Sequence, residues 1–227
     1  MKNKKKLLTV FILFIILVVS LRIFIGEPCQ VPSASMEPTI MSGDWLWIDK
    51  TTYGGILPTR FADIPLINIF TLIPFLRKAD LKNNWGYHRF YSFSEPSIGD
   101  VVVFRNPDNK GGLLVKRIKT IISKGDSIIT NNKESHDLLK DILLKEGKSR
   151  NLSEEYVFIN NSHSPYYIVP QNYYYMIGDN YNNSSDSRDY GYIPEKNIVG
   201  KINRVLFSIN EEDGYRFRKE RFFYNIR

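Results

Sequence analysis

Residues 7–25, LLTVFILFIILVVSLRIFI, constrain this chain more than any other stretch, because they carry one charge, Arg22, close to one end. Wound as a helix they extend about 28 Å, which matches the roughly 30 Å hydrocarbon core of a bilayer. Lys2, Lys4, Lys5 and Lys6 precede the run and should hold the N-terminus in the cytoplasm, while Arg22 reaches for the far interface. Everything beyond residue 26 is then expected outside the cytoplasm. A cleavable signal peptide is the rival reading. Against it, the run is longer than a usual apolar region and Gly26-Glu27-Pro28-Cys29 offers no small-x-small site. Ser33-Ala34-Ser35 lies too far downstream, and proline before Cys29 spoils a lipoprotein box.

The net charge of +7 is mostly this N-terminus: the first 25 residues hold five basic groups and no acid, leaving 26 basic against 24 acidic residues beyond. A nearly neutral body lacks the clustered basic face of a nucleic-acid binder, so no nucleic-acid partner is expected. The basic residues between Arg216 and Arg221, interleaved with Phe217, Phe222 and Phe223, read instead as a solvated or membrane-facing tail. The single cysteine, Cys29, excludes an internal disulfide and a cysteine-built zinc site.

At 227 residues the chain can bury a substantial core. Its pattern predicts a mainly antiparallel β fold. Strands are expected at Asp44–Lys50, at Val101–Phe104, from Leu113 to Ile122 after the turn-forming Asn106–Gly112, and at Tyr156–Ile159, Tyr173–Ile177 and Ile198–Ser208. Only His136–Glu146 has a helical period. Gly125-Asp126-Ser127 reads as a turn, and Asp44 and Asp100 as turn caps. The stretch 53–97 is a long insertion containing the strongly apolar Phe61–Leu76. That segment is too short and too interrupted by Pro65 and Pro74 for a second span, and leaves two alternatives: core packing, or an apolar surface resting on a bilayer.

Two serines, Ser33 and Ser35, lie just beyond the predicted span, and none of the three histidines has a telling neighbourhood. Gly-x-Ser-x-Gly and His-Glu-x-x-His motifs are absent from the sequence. A lysine can activate a serine if it is neutral, but with a reference pKa of about 10.4 fewer than about one in a thousand is neutral at pH 7. Such a lysine must be buried. Lys116, inside the apolar strand Leu113-Leu114-Val115-Lys116-Arg117-Ile118, is the candidate.

Four segments in order resemble the successive sequence boxes of type I signal peptidases. They are Val31-Pro32-Ser33-Ala34-Ser35-Met36-Glu37-Pro38-Thr39, Gly99-Asp100-Val101-Val102-Val103-Phe104, Lys116-Arg117, and the run from Gly178-Asp179-Asn180 through Ser184-Ser185-Asp186-Ser187-Arg188. With the N-terminal span, the resemblance covers about half the chain. It implies a β-rich serine/lysine endopeptidase on one transmembrane helix in the bacterial plasma (inner) membrane, removing signal peptides from exported preproteins after small-x-small sites. Ser35 would be the nucleophile and Lys116 the general base, with the Ser33 hydroxyl and Ser35 N–H as oxyanion hole. Ser184 would orient the lysine, and Gly178, Asp186 and Arg188 would be structural. Cys29, Val31, Met36 and Val115 would contribute to the substrate pocket, although Met36 can also simply shape the turn. No metal and no cofactor is implied; exported preproteins and membrane lipid are the expected partners.

The expected organisation is a cytoplasmic 1–6, a span at 7–25 and an extracytoplasmic domain at 26–227, with the insertion at about 53–97 and a short variable segment at about 127–172. The sequence departs from the family where Ile118–Asp126, IKTIISKGD, replaces a shorter stretch ending Pro-Gly-Asp. A cytoplasmic self-cleaving regulator of the LexA type also pairs serine with lysine, but would carry a DNA-binding domain instead of a span. A catalytically silent, membrane-anchored binding protein is the other alternative.

Overall fold

The computed structural model describes residues 2–107, 112–129, 132–147, 166–210 and 214–226. Its elements, in chain order, are α1 (Lys2–Phe24), β1 (Gly26–Gln30), β2 (Asp44–Asp49), α2 (Pro74–Asp80), β3 (Val101–Arg105), β4 (Leu113–Ile122), β5 (Ser127–Ile129), α3 (Lys133–Lys145), β6 (Tyr166–Ile168), β7 (Tyr173–Ile177), α4 (Ser187–Tyr190), β8 (Ile193–Pro194), β9 (Ile198–Asn210) and β10 (Arg216–Phe217). The described strand ladders are antiparallel, as the alternating pattern predicts. The strand expected at Tyr156–Ile159 lies outside the described residues. The chain divides into two compact units.

The first unit comprises Met1–Pro32, Gly43–Pro96 and Val199–Arg227. Lys4–Phe24, 21 residues, is long and apolar enough to cross a membrane. Directly after it, residues at which no strand was expected form one: β1 pairs with β2 from Gly26 opposite Asp49 to Gln30 opposite Trp45. β2 pairs in turn with β9, and β9 with β10.

Along β2 the side chains alternate, with Asp44, Leu46 and Ile48 fully buried and Trp45, Trp47 and Asp49 partly exposed. The alternation carries Asp44 inward with its apolar neighbours, where it does more than cap a turn. A buried carboxylate needs a cation, and the Arg221 guanidinium supplies one, its Nε donating to Asp44 Oδ1 at 2.9 Å. This corrects the reading of the C-terminal basic run as a solvated tail. Arg221 is buried, and Arg218 donates to Ser208 Oγ and Asn210 Oδ1.

The insertion in this unit contains two 3₁₀ turns, Phe61–Asp63 and Ile67–Leu72, followed by α2, a short helix the periodicity did not announce. Pro74 opens α2 at its first turn, where its missing N–H costs nothing. Asp80 turns inward and accepts the N–H groups of Phe61 and Ala62, and the Phe61 and Trp85 rings meet edge to face at 4.9 Å.

The second unit comprises Ser33–Ser42 and Ser97–Ile198. β4 is flanked by β3 and β7, and β8 extends β7. Val101 to Phe104 are all buried, as expected of a strand covered on both faces. The reading IKTIISKGD simply prolongs β4 to Ile122 before a turn in which Asp126 accepts the Ser123 N–H at 2.7 Å. β5 and β6 pair beside α3, which begins three residues before the predicted helix because Asn132 and Ser135 form a reciprocal cap. Leu139, Ile142 and Leu143 of α3 pack with Ile128, Tyr167, Val169 and Tyr173 in a core of their own.

Candidate active site

The second unit brings Ser35 and Lys116 together. Ser35 lies in a tight turn following Ser33, closed by Glu37 N–H donating to Ala34 O at 3.1 Å and Ile40 N–H to Met36 O at 3.0 Å. Met36 and Ile40, both fully buried, pin that turn to the core. Met36 has no exposed surface here, which fits the turn-shaping role. Lys116, opposite Val102 at the middle of β4, is only 3% exposed. A hydrogen bond of 2.7 Å joins its Nζ to Ser35 Oγ.

Burial pushes the Lys116 amine below the ordinary lysine range, while the more distant charges of Asp186 and Asp179 partly oppose that shift. Desolvation disfavours the ammonium, so burial on the strand shifts the balance toward the neutral amine.

Two loops are fixed around this pair. The Asn180 backbone N–H donates to Ser35 O at 3.1 Å and its side-chain amide to Ala34 O at 3.0 Å. The sequence reading gave Asn180 no role, although it lies inside the last matched motif. Gly178 comes so close that a Cβ on it would stand 2.5 Å from Ser35 O and 2.2 Å from Ser184 Oγ. Only glycine fits there.

Asp186, wholly buried, accepts the Gly178 N–H at 3.0 Å, caps α4 and is ion-paired with Arg188, whose Nε donates to it at 2.8 Å. Burial alone would raise the Asp186 carboxyl, but the hydrogen bonds from Arg188 and Gly178 outweigh it and hold the group well below the usual carboxylate range. Arg188 also donates to the carbonyls of Tyr181 and Ser184, so the pair ties the whole loop. A second pair, Arg117 with Asp179, joins at 2.8 and 2.6 Å, and Arg117 donates further to Gly99 O. Burial tends to raise the Asp179 carboxyl; hydrogen bonds from Arg117 and Thr39 hold it low instead.

Ser184 departs from its expected role. Its Oγ is buried without a hydrogen bond, packed against Gly178 and near enough to Asp186 to help keep that carboxyl low. The lysine-orienting bond is thus not made here; the Lys116 amine is engaged with Ser35. Ser33 is exposed, with its hydroxyl 3.4 Å from Ser35 Oγ, a long contact that leaves the donor free to turn elsewhere. Of the remaining pocket residues, Val115 is partly buried on β4 in this unit. Cys29 and Val31 belong to the first unit. Cys29 is half-buried on β1 opposite Leu46, and Val31 is 4% exposed and held by main-chain bonds to Asp44 and Gly43.

A serine hydroxyl bonded to a buried amine, on an antiparallel β scaffold, is an arrangement suited to a hydrolase that works without histidine. Comparison with known proteins agrees. The model of the family described as signal peptidase, peptidase S26, matches residues 4–207. Signal peptidase I of Buchnera aphidicola subsp. Baizongia pistaciae is 26% identical over 264 residues, covering 90% of this chain and 77% of that protein. Signal peptidase I of Pseudomonas aeruginosa is 30% identical over 242 residues, covering 91% of this chain and 75% of that one. The chain belongs to the signal peptidase family of S26 peptidases, and is a serine endopeptidase that hydrolyses peptide bonds.

Proposed function

We propose that this peptidase is anchored in the bacterial plasma membrane by α1, its N-terminus cytoplasmic and residues 26–227 outside, and removes signal peptides from exported preproteins. The observation that carries this reading is the 2.7 Å bond between Ser35 Oγ and the buried Lys116 Nζ.

Ser35 Oγ attacks the scissile carbonyl as Lys116 takes its proton. The oxyanion that forms is met by the Ser35 N–H, fixed by the backbone, and by the Ser33 hydroxyl, which turns toward it. The C–N bond breaks as Lys116 gives its proton to the leaving amine. Water, deprotonated by Lys116, then attacks the acyl-enzyme, and Lys116 returns the proton to Ser35 Oγ as the ester C–O bond breaks. Asp186 with Arg188 keeps the loop that carries Gly178 in position. Val115, partly buried on β4 of the same unit as Ser35, supplies apolar surface for a small side chain before the cut. Ten residues separate the end of the span from Ser35, so the nucleophile lies within about 35 Å of chain from the bilayer, where a signal peptide still held in the membrane presents its cleavage site.

The test is cleavage of a preprotein with an Ala-x-Ala site by the detergent-solubilised protein, comparing wild type with Ser35→Ala and Lys116→Met. Processing by wild type and loss in both variants supports the reading. Retained processing in either variant overturns it.

A further inference from the structure

The insertion leaves a large apolar surface uncovered. Leu72 and Phe75 are 80% and 77% exposed, and Leu66, Ile69, Phe70 and Ile73 are each at least half exposed. Water-facing residues of this kind, contiguous in sequence and folded into two 3₁₀ turns and a short helix, call for an occupant.

Three observations identify it. First, the insertion is rooted on the last turn of α1, within the same unit. Gly55 lies so close that a Cβ on it would stand 2.5 Å from Ile23 O, and the Phe90 and Phe24 rings meet at 5.2 Å. The apolar surface therefore continues from the end of the helix that can span a bilayer. Second, its outward charge is basic. Arg77, Lys78 and Lys82 are exposed beside the apolar side chains. The nearby acids are turned to other work, Asp80 buried on the Phe61 and Ala62 N–H groups and Asp63 accepting from Thr59. Third, the segment is too short and too bent to cross a membrane: the 3₁₀ run ends at Leu72 and Pro74 starts a helix of 7 residues. An apolar face with basic residues at its border, joined to a membrane anchor, has the make-up of an interfacial element.

We infer that the 61–82 segment docks on the bilayer surface beside α1, burying Leu72, Phe75 and their neighbours among the acyl chains while Arg77, Lys78 and Lys82 meet anionic headgroups. The inference rests on the proposal that α1 spans the membrane, but not on the chemistry of Ser35.

The experiment uses the full chain in lipid nanodiscs of phosphatidylglycerol and phosphatidylcholine. With Cys29→Ser as background, single cysteines are introduced by Leu72→Cys, Phe75→Cys, Leu13→Cys within α1, and Lys140→Cys on the exposed side of α3, and each is labelled with an environment-sensitive fluorophore. Spin-labelled lipids should quench positions 72 and 75 as they do 13, and spare 140, and the charge reversals Arg77→Glu, Lys78→Glu and Lys82→Glu together should reduce quenching at 72 and 75 without affecting 13. Quenching at 13 with none at 72 and 75 overturns the docking while leaving the anchor intact. Absence of quenching at 13 overturns both. Equal quenching at 72, 75 and 140, or an unchanged signal after the charge reversals, also contradicts a basic, local interface.

Discussion

Gly178→Ala isolates the close approach that fixes the nucleophile. The added methyl would stand 2.5 Å from Ser35 O and 2.2 Å from Ser184 Oγ, against the 3.4 Å at which ordinary contact begins. The serine side chain can rotate away, but the carbonyl is backbone. To accept the methyl, the Ser35 turn or the Gly178 strand end must retreat by roughly 0.9 Å, and the Asn180 bonds to Ser35 O and Ala34 O resist that movement. Overpacking of this kind costs ~1–3 kcal/mol of stability, which a chain of this size survives. Its effect on catalysis is larger, because a displacement near 1 Å stretches the 2.7 Å Ser35–Lys116 bond out of range, and misplacements of that size lower rates about 10²-fold. The assay is kcat/KM on a preprotein with a small-x-small site, with thermal unfolding measured in the same detergent. A folded Gly178→Ala protein with activity within about threefold of wild type would refute the idea that this contact positions the serine.

Two further changes probe other parts of the account. Arg221→Ala leaves the Asp44 carboxylate, with a side chain 0% exposed, without its main cation, and should destabilise the first unit by ~3–5 kcal/mol, read as a clear drop in Tm; Asp44→Asn added to it should recover part of the loss. Asn180→Ala removes one side-chain bond to Ala34 O while its backbone N–H still holds Ser35 O, so kcat should fall about 3- to 10-fold with KM little altered. An unchanged kcat would remove Asn180 from the positioning of the nucleophile.

The motifs that carry the candidate site could be read because each is short and contiguous along the chain. The apolar run around Lys116 announced a buried strand, and burial is what lowers the amine's pKa. The structural role implied for Gly178 goes with a position where a Cβ would crowd Ser35 O and Ser184 Oγ. What the sequence concealed depends on partners distant along the chain. Asp44 reads as a turn cap at the start of an apolar run, and the counter-charge that lets it sit inside lies 177 positions away in a segment that reads as a polar tail. β1 was missed because Gly26-Glu27-Pro28-Cys29-Gln30 has no alternating apolar pattern; its register comes from pairing with β2. Asn180 carried no signal beyond its motif, since its side chain bonds a carbonyl 146 residues earlier. Ser184 shows the converse: a role read from a motif is not matched by a bond to Lys116, whose amine bonds Ser35.

The central claim is that Lys116 acts as a neutral amine toward Ser35, and the most direct test is the pH dependence of single-turnover acylation from pH 6 to 10. Burial lowers the Lys116 pKa, so the fraction of free amine, and with it the rate, should rise as pH climbs through that lowered pKa and level off before the ordinary lysine value of about 10.4, while Lys116→Met shows no acylation at any pH. A rate that climbs only near about 10.4, or a Lys116→Met protein that still acylates, would contradict the account.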